Sequence, residues 1–285
     1  MPVNLQIFNN AKRKELLILI LCLLIGFSLR FYTFDHKSLW IDEIHTFNDS
    51  RDGLRAQIEF YKNDPTYLHP PLFFILTHLF YPFPKPERDL RIIPLIFGIL
   101  SIPMFYLLSR SFSHRIALPC TLSLTLMAYH IYFSQEARAY SMLMFLGMAA
   151  LYFFMQYLRT LKRRFLFLVA LFWAISFYTS YSSIPFILFS QILWFYHLRE
   201  DHQKPSLPSF LILNGLFLLF CIPWLLFVAL NYTGQPLMDP YHTEDPGSLW
   251  SILYWILNDW VSNLPLIMVS AVLLILLPFF SKNKK

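Results

Sequence analysis

Runs of roughly twenty apolar residues recur along this chain, and a run of that length is what an α-helix needs to cross the hydrocarbon core of a bilayer. They fall near residues 16–34, 90–109, 116–134, 140–158, 165–182, 184–198, 209–230 and 264–280, the run at 184–198 being the weakest because it is short. Composition agrees. Of the 285 residues 56% are hydrophobic and only 14% charged, where a soluble domain keeps about a quarter of its residues charged. A soluble globular enzyme, a disordered chain and a disulfide-stapled secreted scaffold are thereby excluded. Cys22, Cys120 and Cys221 all sit inside apolar runs and read as small core hydrophobes. The net charge of +6 is scattered between those runs rather than gathered on a basic face, so no nucleic-acid partner is expected.

The expected fold is therefore all-α: a polytopic integral membrane protein of about eight transmembrane helices, forming a single membrane domain over residues 1–285. A long loop, 35–89, follows the first span. The apolar stretch at 71–83 is too short to cross and runs into Tyr81-Pro82-Phe83-Pro84, so it reads as a juxtamembrane helix. The stretch at 248–260, with Trp250, Trp255 and Trp260, reads as interfacial. Placing the N-terminus in the cytoplasm puts most of the 23 basic residues on that side, including Lys12–Lys14, Arg110, Arg115, Arg159–Arg164 and Lys282–Lys285, against only Glu15, Glu200 and Asp201. The positive-inside rule is met at every short loop. Counting 71–83 as a span would reverse the later loops. The first run reads as an uncleaved anchor, because no small-residue cleavage site follows it.

Chemistry-bearing residues concentrate on the extracytoplasmic side. Loop 35–89 opens with Ser38-Leu39-Trp40-Ile41-Asp42-Glu43-Ile44-His45, continues through His69-Pro70-Pro71-Leu72, and ends in Arg88-Asp89-Leu90-Arg91. The next outward turn is Tyr132-Phe133-Ser134-Gln135-Glu136-Ala137-Arg138-Ala139-Tyr140. Ionisable groups beside span ends are costly and point to function. Cations there suit an anionic lipid head group, and a carboxylate can take a proton from an acceptor hydroxyl. Blander readings stand beside these. Asp42 and Glu43 can be hydrated loop charges, His69 can end a turn, Arg88 and Arg91 can be head-group anchors, and Glu136 and Arg138 can pair with each other. His36, Asp42, Glu43 and His45 are too loosely spaced for an expected metal site. Asn48-Asp49-Ser50 and Asn231-Tyr232-Thr233 are sequons, relevant only in a eukaryotic secretory pathway.

Taken in order, these segments, with Tyr178-Thr179-Ser180-Tyr181, Ile222-Pro223-Trp224-Leu225-Leu226 and Asp245-Pro246-Gly247-Ser248, resemble bacterial members of the dolichyl-phosphate-mannose protein mannosyltransferase family. That family belongs to the glycosyltransferase C superfamily, which also holds the lipid A aminoarabinose transferase. The resemblance covers roughly residues 15–260. It implies an inner-membrane glycosyltransferase with both termini cytoplasmic and its active site on the extracytoplasmic face. Such an enzyme moves a monosaccharide from a polyprenyl-phosphate carrier to a hydroxyl of a lipid, protein or glycan acceptor; no cofactor is expected from the sequence, a divalent metal being the open alternative. It maps the base onto Asp42, with Glu43 and Glu136 as further catalytic carboxylates. His69 and Arg138 become carrier-phosphate contacts; Arg88 and Arg91, cations at the entry to the second span, are expected to join them, with Tyr140 and His45 as additional substrate contacts. Relatives carry a carboxylate where this chain has Tyr140, and Glu136 lies four residues earlier, on the same face if the segment is helical.

The implied chemistry is an inverting displacement. A phosphate leaves as an anion, so cations rather than a proton donor are needed at the leaving group, unlike the carboxyl pair of a glycosidase. Relatives usually run longer, so the chain is expected to correspond to their N-terminal catalytic module, with a partner subunit able to supply the missing C-terminal part. The competing expectation is a truncated, non-catalytic relative serving as a subunit or binding protein in envelope glycan assembly. A transporter of lipid-linked sugar would want charges at the membrane midplane, which these spans lack.

Overall fold

The computed structural model describes residues 3–63, 69–197 and 206–231, all within one compact unit, Met1–Thr233. Every regular element among the described residues is helical: α1 (Val3–Phe31), α2 (Ile41–Arg51), α3 (Leu54–Asn63), α4 (Leu72–His78), α5 (Pro86–Asp89), α6 (Ile92–Phe112), α7 (His114–Leu126), α8 (Ala128–Ser134), α9 (Tyr140–Thr160), α10 (Arg163–Thr179), α11 (Ser183–His197) and α12 (Leu207–Asn231). A helix pairs its backbone groups within itself, which is what apolar surroundings demand of such segments.

Helices occupy the first seven expected spans. By length and apolar composition three described helices can cross a membrane: the continuous stretch Pro86–Phe112, α9 and α12. The α7–α8 pair makes a fourth if the two halves count as one span. α10 has 17 residues and α11 has 15, so both are helical where expected yet shorter than a typical crossing. The expected span at 264–280 and the interfacial segment at 248–260 lie outside the described residues.

Loop 35–89 is where the architecture departs most from a linear reading, for much of it is helix. α2 buries Glu43, Thr46 and Ser50, spaced as one helical face but polar, so it carries no apolar periodicity to read. α4 is the short apolar helix of the 71–83 stretch. Its Phe73 and Phe74 pack with Ile93 of α6 and with Met142 and Leu146 of α9. Farther along, Phe154, Tyr157, Trp173, Trp194 and Leu213 form an aromatic core tying α9 to α10, α11 and α12, with the Tyr157 and Trp194 rings stacked at 5.3 Å.

The broken span fixes the frame of the site. α7 and α8 meet at a 58° bend around Met127, which leaves carbonyls at the end of α7 short of helical partners, Leu124 O keeping only a 3.3 Å bond from Met127 N. Arg30 of α1 supplies them. Its Nη1 donates to Thr125 O at 3.2 Å and to Gly26 O at 3.1 Å, and its Nη2 to Leu124 O at 3.2 Å and to His130 Nδ1 at 2.9 Å. Arginine can only donate, so Nδ1 of His130 is the acceptor. Close approach is allowed by glycine: a Cβ on Gly98 would lie 2.1 Å from Ser134 Oγ, and one on Gly26 2.2 Å from Ile102 Cδ1. Past the end of α8, Gln135 Nε2 donates to the carbonyls of Leu29 (3.3 Å), Arg30 (3.0 Å) and Tyr32 (2.7 Å) at the end of α1. Each of the two elements thus caps the other.

Candidate active site

The turn at 135–139, held down by Gln135, faces the start of α2. Asp42 and Glu43 occupy the first turn of α2, where the partial positive charge of the helix N-terminus favours carboxylates. Adjacent in sequence, they point to different surroundings. Glu43 is buried and accepts four hydrogen bonds: from Arg91 Nε (2.8 Å) and Ala137 N (2.7 Å) on Oε1, and from Arg91 Nη2 (2.6 Å) and Trp40 N (3.4 Å) on Oε2. Arg91 spends its other donors on the carbonyls of Phe34, Lys37 and Ser38 at 2.9, 2.9 and 3.3 Å. All five guanidinium N–H groups are therefore engaged within the protein.

Asp42 instead lines a cavity of about 680 Å³ together with His45, Asp49, His69, Arg138 and Tyr140. Arg138 Nε lies 3.9 Å from Asp42 Oδ2 and its Nη1 3.5 Å from Asp42 O, with both side chains about one-third exposed. The pair is long and wet enough to open to a ligand. His69 keeps part of its ring exposed, yet the surrounding protein pushes its pKa below the usual histidine value, and the positive charge of Arg138 and then His45 adds to this. The neutral imidazole, a hydrogen-bond donor and acceptor, is thereby favoured. Burial raises the Asp49 carboxyl, an effect that His45 and Arg138 oppose. Tyr140 opens α9, its ring 4.9 Å from that of Phe133.

Glu136 lies behind this wall and is not among the lining residues. It is 5% exposed, its Oε2 has no hydrogen-bond partner, and burial first, then the charge of Glu43, pushes its pKa up to about 7. Arg88 is occupied too: its Nε and Nη2 meet Asp89 Oδ1 at 2.8 and 2.7 Å, while Asp89 Oδ2 accepts from Lys85 N. Among the described residues no three His, Cys, Asp or Glu side chains are grouped so as to hold a metal ion. His36 lies 3.5 Å from Asp35, and Glu43 is committed to Arg91.

The family model for dolichyl-phosphate-mannose-protein mannosyltransferases matches residues 68–227, more than half of the chain. The chain belongs to this family. No curated protein and no solved structure matches it. Membership in this mannosyltransferase family makes the protein a membrane glycosyltransferase of the mannosyltransferase type, in accord with its apolar helices. The matched part of this mannosyltransferase holds His69, Arg88, Arg91, Glu136, Arg138 and Tyr140. Asp42, Glu43 and His45 lie N-terminal to it and reach it through the fold.

Of the nine residues singled out from sequence, five line this cavity: Asp42, His45, His69, Arg138 and Tyr140. Glu43, Arg88, Arg91 and Glu136 do not. The cavity also has walls that motifs alone do not mark, namely Asp49 on α2, Asp52 just after it, Gln57 on α3, and Thr179, Ser180 and Ser182 at and just beyond the end of α10. One signal was present: Asp42, His45, Asp49 and Asp52 recur at helical spacing. Read as loop, they carry no shared face.

Proposed function

We propose that this protein transfers a monosaccharide from a polyprenyl-phosphate carrier to an acceptor hydroxyl by inverting displacement. The observation that carries the reading is that Asp42, His69 and Arg138, far apart in sequence, line one cavity. Asp42 is the base. It takes the proton of the acceptor hydroxyl as that oxygen bonds to the anomeric carbon, while the carbon–oxygen bond to phosphate breaks on the opposite face and its electron pair leaves with polyprenyl phosphate. Arg138 stabilises the departing phosphate. When the phosphate enters, its charge draws the guanidinium from the loose pair with Asp42, which frees the carboxylate for the acceptor. His69, uncharged, donates a hydrogen bond to a phosphate oxygen. Tyr140 and His45 border the sugar.

Glu43 and Arg91 act as the clamp that joins α2 to α6 and to the turn carrying Arg138, so their role is to hold Asp42 and Arg138 in register. Arg88 is a support for the α5–α6 entry. Glu136, its pKa pushed up to about 7, is partly protonated at neutral pH and so lessens the negative charge beside Asp42 and Glu43. In a bilayer the site faces the extracytoplasmic side of the inner membrane, both termini are cytoplasmic, and the fold is that of a glycosyltransferase C module with about eight spans. The charge asymmetry of the loops supports this orientation.

The test is release of polyprenyl phosphate from a panel of polyprenyl-phosphate sugars by purified protein in membranes, wild type against Asp42→Asn. Release that falls at least about a hundredfold in Asp42→Asn supports the transferase, as general-base catalysis is worth that much or more. Absence of release from every donor by folded wild-type protein sinks it.

A further inference from the structure

Beyond the residues assigned to the carrier, one wall of the cavity has no role in moving the sugar off phosphate. α2 turns Asp42, His45 and Asp49 to the cavity, and Asp52 joins them from the extended residue that ends the helix; helical rise puts Asp49 roughly 10 Å along the axis from Asp42. The far end of this stripe meets Gln57 of α3. Gln57 is 5% exposed and lines the same cavity. Its amide nitrogen donates to Asp49 O, which fixes the orientation of the amide, since a carbonyl can only accept. Its Oε1 is left buried with no hydrogen-bond partner, a standing cost that a hydroxyl donor would remove.

We propose that this α2–α3 wall is an acceptor subsite for a carbohydrate: a glycan whose reacting hydroxyl sits at Asp42 and whose next unit is held by Asp49, Asp52 and Gln57. The inference rests on the glycosyl transfer proposed above. Vicinal hydroxyls donate and accept at once, and the wall offers both functions. Asp49, Asp52 and the Gln57 oxygen accept, while Asn48 and Arg51, which also line the cavity, donate. Arg51 lies 3.8 Å from Asp52 with both side chains more than half exposed, so each can rearrange toward a ligand. A purely cationic acceptor would have no use for the donors. Phe73 and Phe74, largely buried, also border the cavity and make part of its lining apolar. The carrier cannot fill this wall as well, because its phosphate belongs beside Arg138 and its sugar beside Asp42.

The experiment uses the full chain in detergent micelles with saturating polyprenyl phosphate. Ligand-observed NMR measures binding of mannotriose, chitotriose and a Ser/Thr-containing peptide to wild type, Asp49→Asn, Asp52→Asn and Gln57→Glu. The proposal expects a trisaccharide to bind and its Kd to rise about tenfold in Asp49→Asn, the loss of one charge-assisted hydrogen bond. A smaller rise is expected in Asp52→Asn, whose exposed side chain leaves folding untouched. Trisaccharide binding that none of the three variants weakens overturns the subsite, as does binding of the peptide alone. If donor turnover is present but no trisaccharide binds, the subsite falls while the transferase stands. If donor turnover is absent as well, both fall.

Discussion

Glu43 and Arg91, 48 positions apart, form a two-point pair at 2.6 and 2.8 Å with side chains 1% and 3% exposed. Removing one partner leaves an uncompensated buried charge, which costs about 3–5 kcal/mol. Arg91→Ala and Glu43→Ala should therefore lose thermal stability in detergent by that amount, and with it activity. A phosphate contact would behave otherwise. If Arg91→Ala keeps its melting temperature and only raises the donor KM, the clamp assignment is wrong.

The reciprocal capping of α1 and the broken span gives a second expectation. Gly98→Ala forces a Cβ onto Ser134 Oγ and should cost about 1–3 kcal/mol by overpacking. Gln135→Ala uncaps three carbonyls at the end of α1 and loosens the turn that carries Arg138, so the donor KM should rise along with a modest stability loss of about 1 kcal/mol. Thermal denaturation and donor kinetics on the same variants separate the two effects. Unchanged KM in Gln135→Ala would mean that the turn is held by Glu43 alone.

Glu136 sets a pH dependence of stability. Its pKa is raised to about 7 from 4.5, so between these values the folded state holds a proton that the unfolded state has released. Stability contributed by the neutral carboxyl is full below about pH 4.5, declines as pH rises, and is gone above about 7, a change of about 3 kcal/mol. Glu136→Gln stays neutral throughout. Its melting temperature should exceed that of wild type at pH 8 and match it near pH 4.5. Parallel curves for the two proteins would show that Glu136 does not hold the proton.

His69 and Arg138 should differ in how they fail. Because the pKa of His69 is lowered, its neutral form is favoured, and His69→Gln, an uncharged donor, should keep the donor KM within about threefold. Arg138→Gln removes the cation at the leaving group and should cost about a hundredfold or more in kcat/KM, with Arg138→Lys intermediate. Steady-state kinetics at pH 7.5 decide. Equal losses in His69→Gln and Arg138→Gln would make His69 a cationic phosphate ligand.

The apolar runs sufficed to predict helices at seven places where helices occur, because a segment without water nearby must pair its own backbone and does so locally. The nine ionisable and polar residues of interest were likewise visible as motifs. Their division was not. Asp42 and Glu43 are neighbours in sequence, yet successive helix positions diverge by about 100°, and that rotation sends one carboxylate to the cavity and the other to Arg91. The polar buried face of α2 and the 58° break at Met127 have no apolar periodicity to announce them, and the crossed caps of Arg30 and Gln135 join segments about a hundred positions apart. Hydropathy, being local, determined that this chain is a helical membrane protein. Which of its charges face a substrate and which are consumed in holding the helices together was decided only where distant segments met.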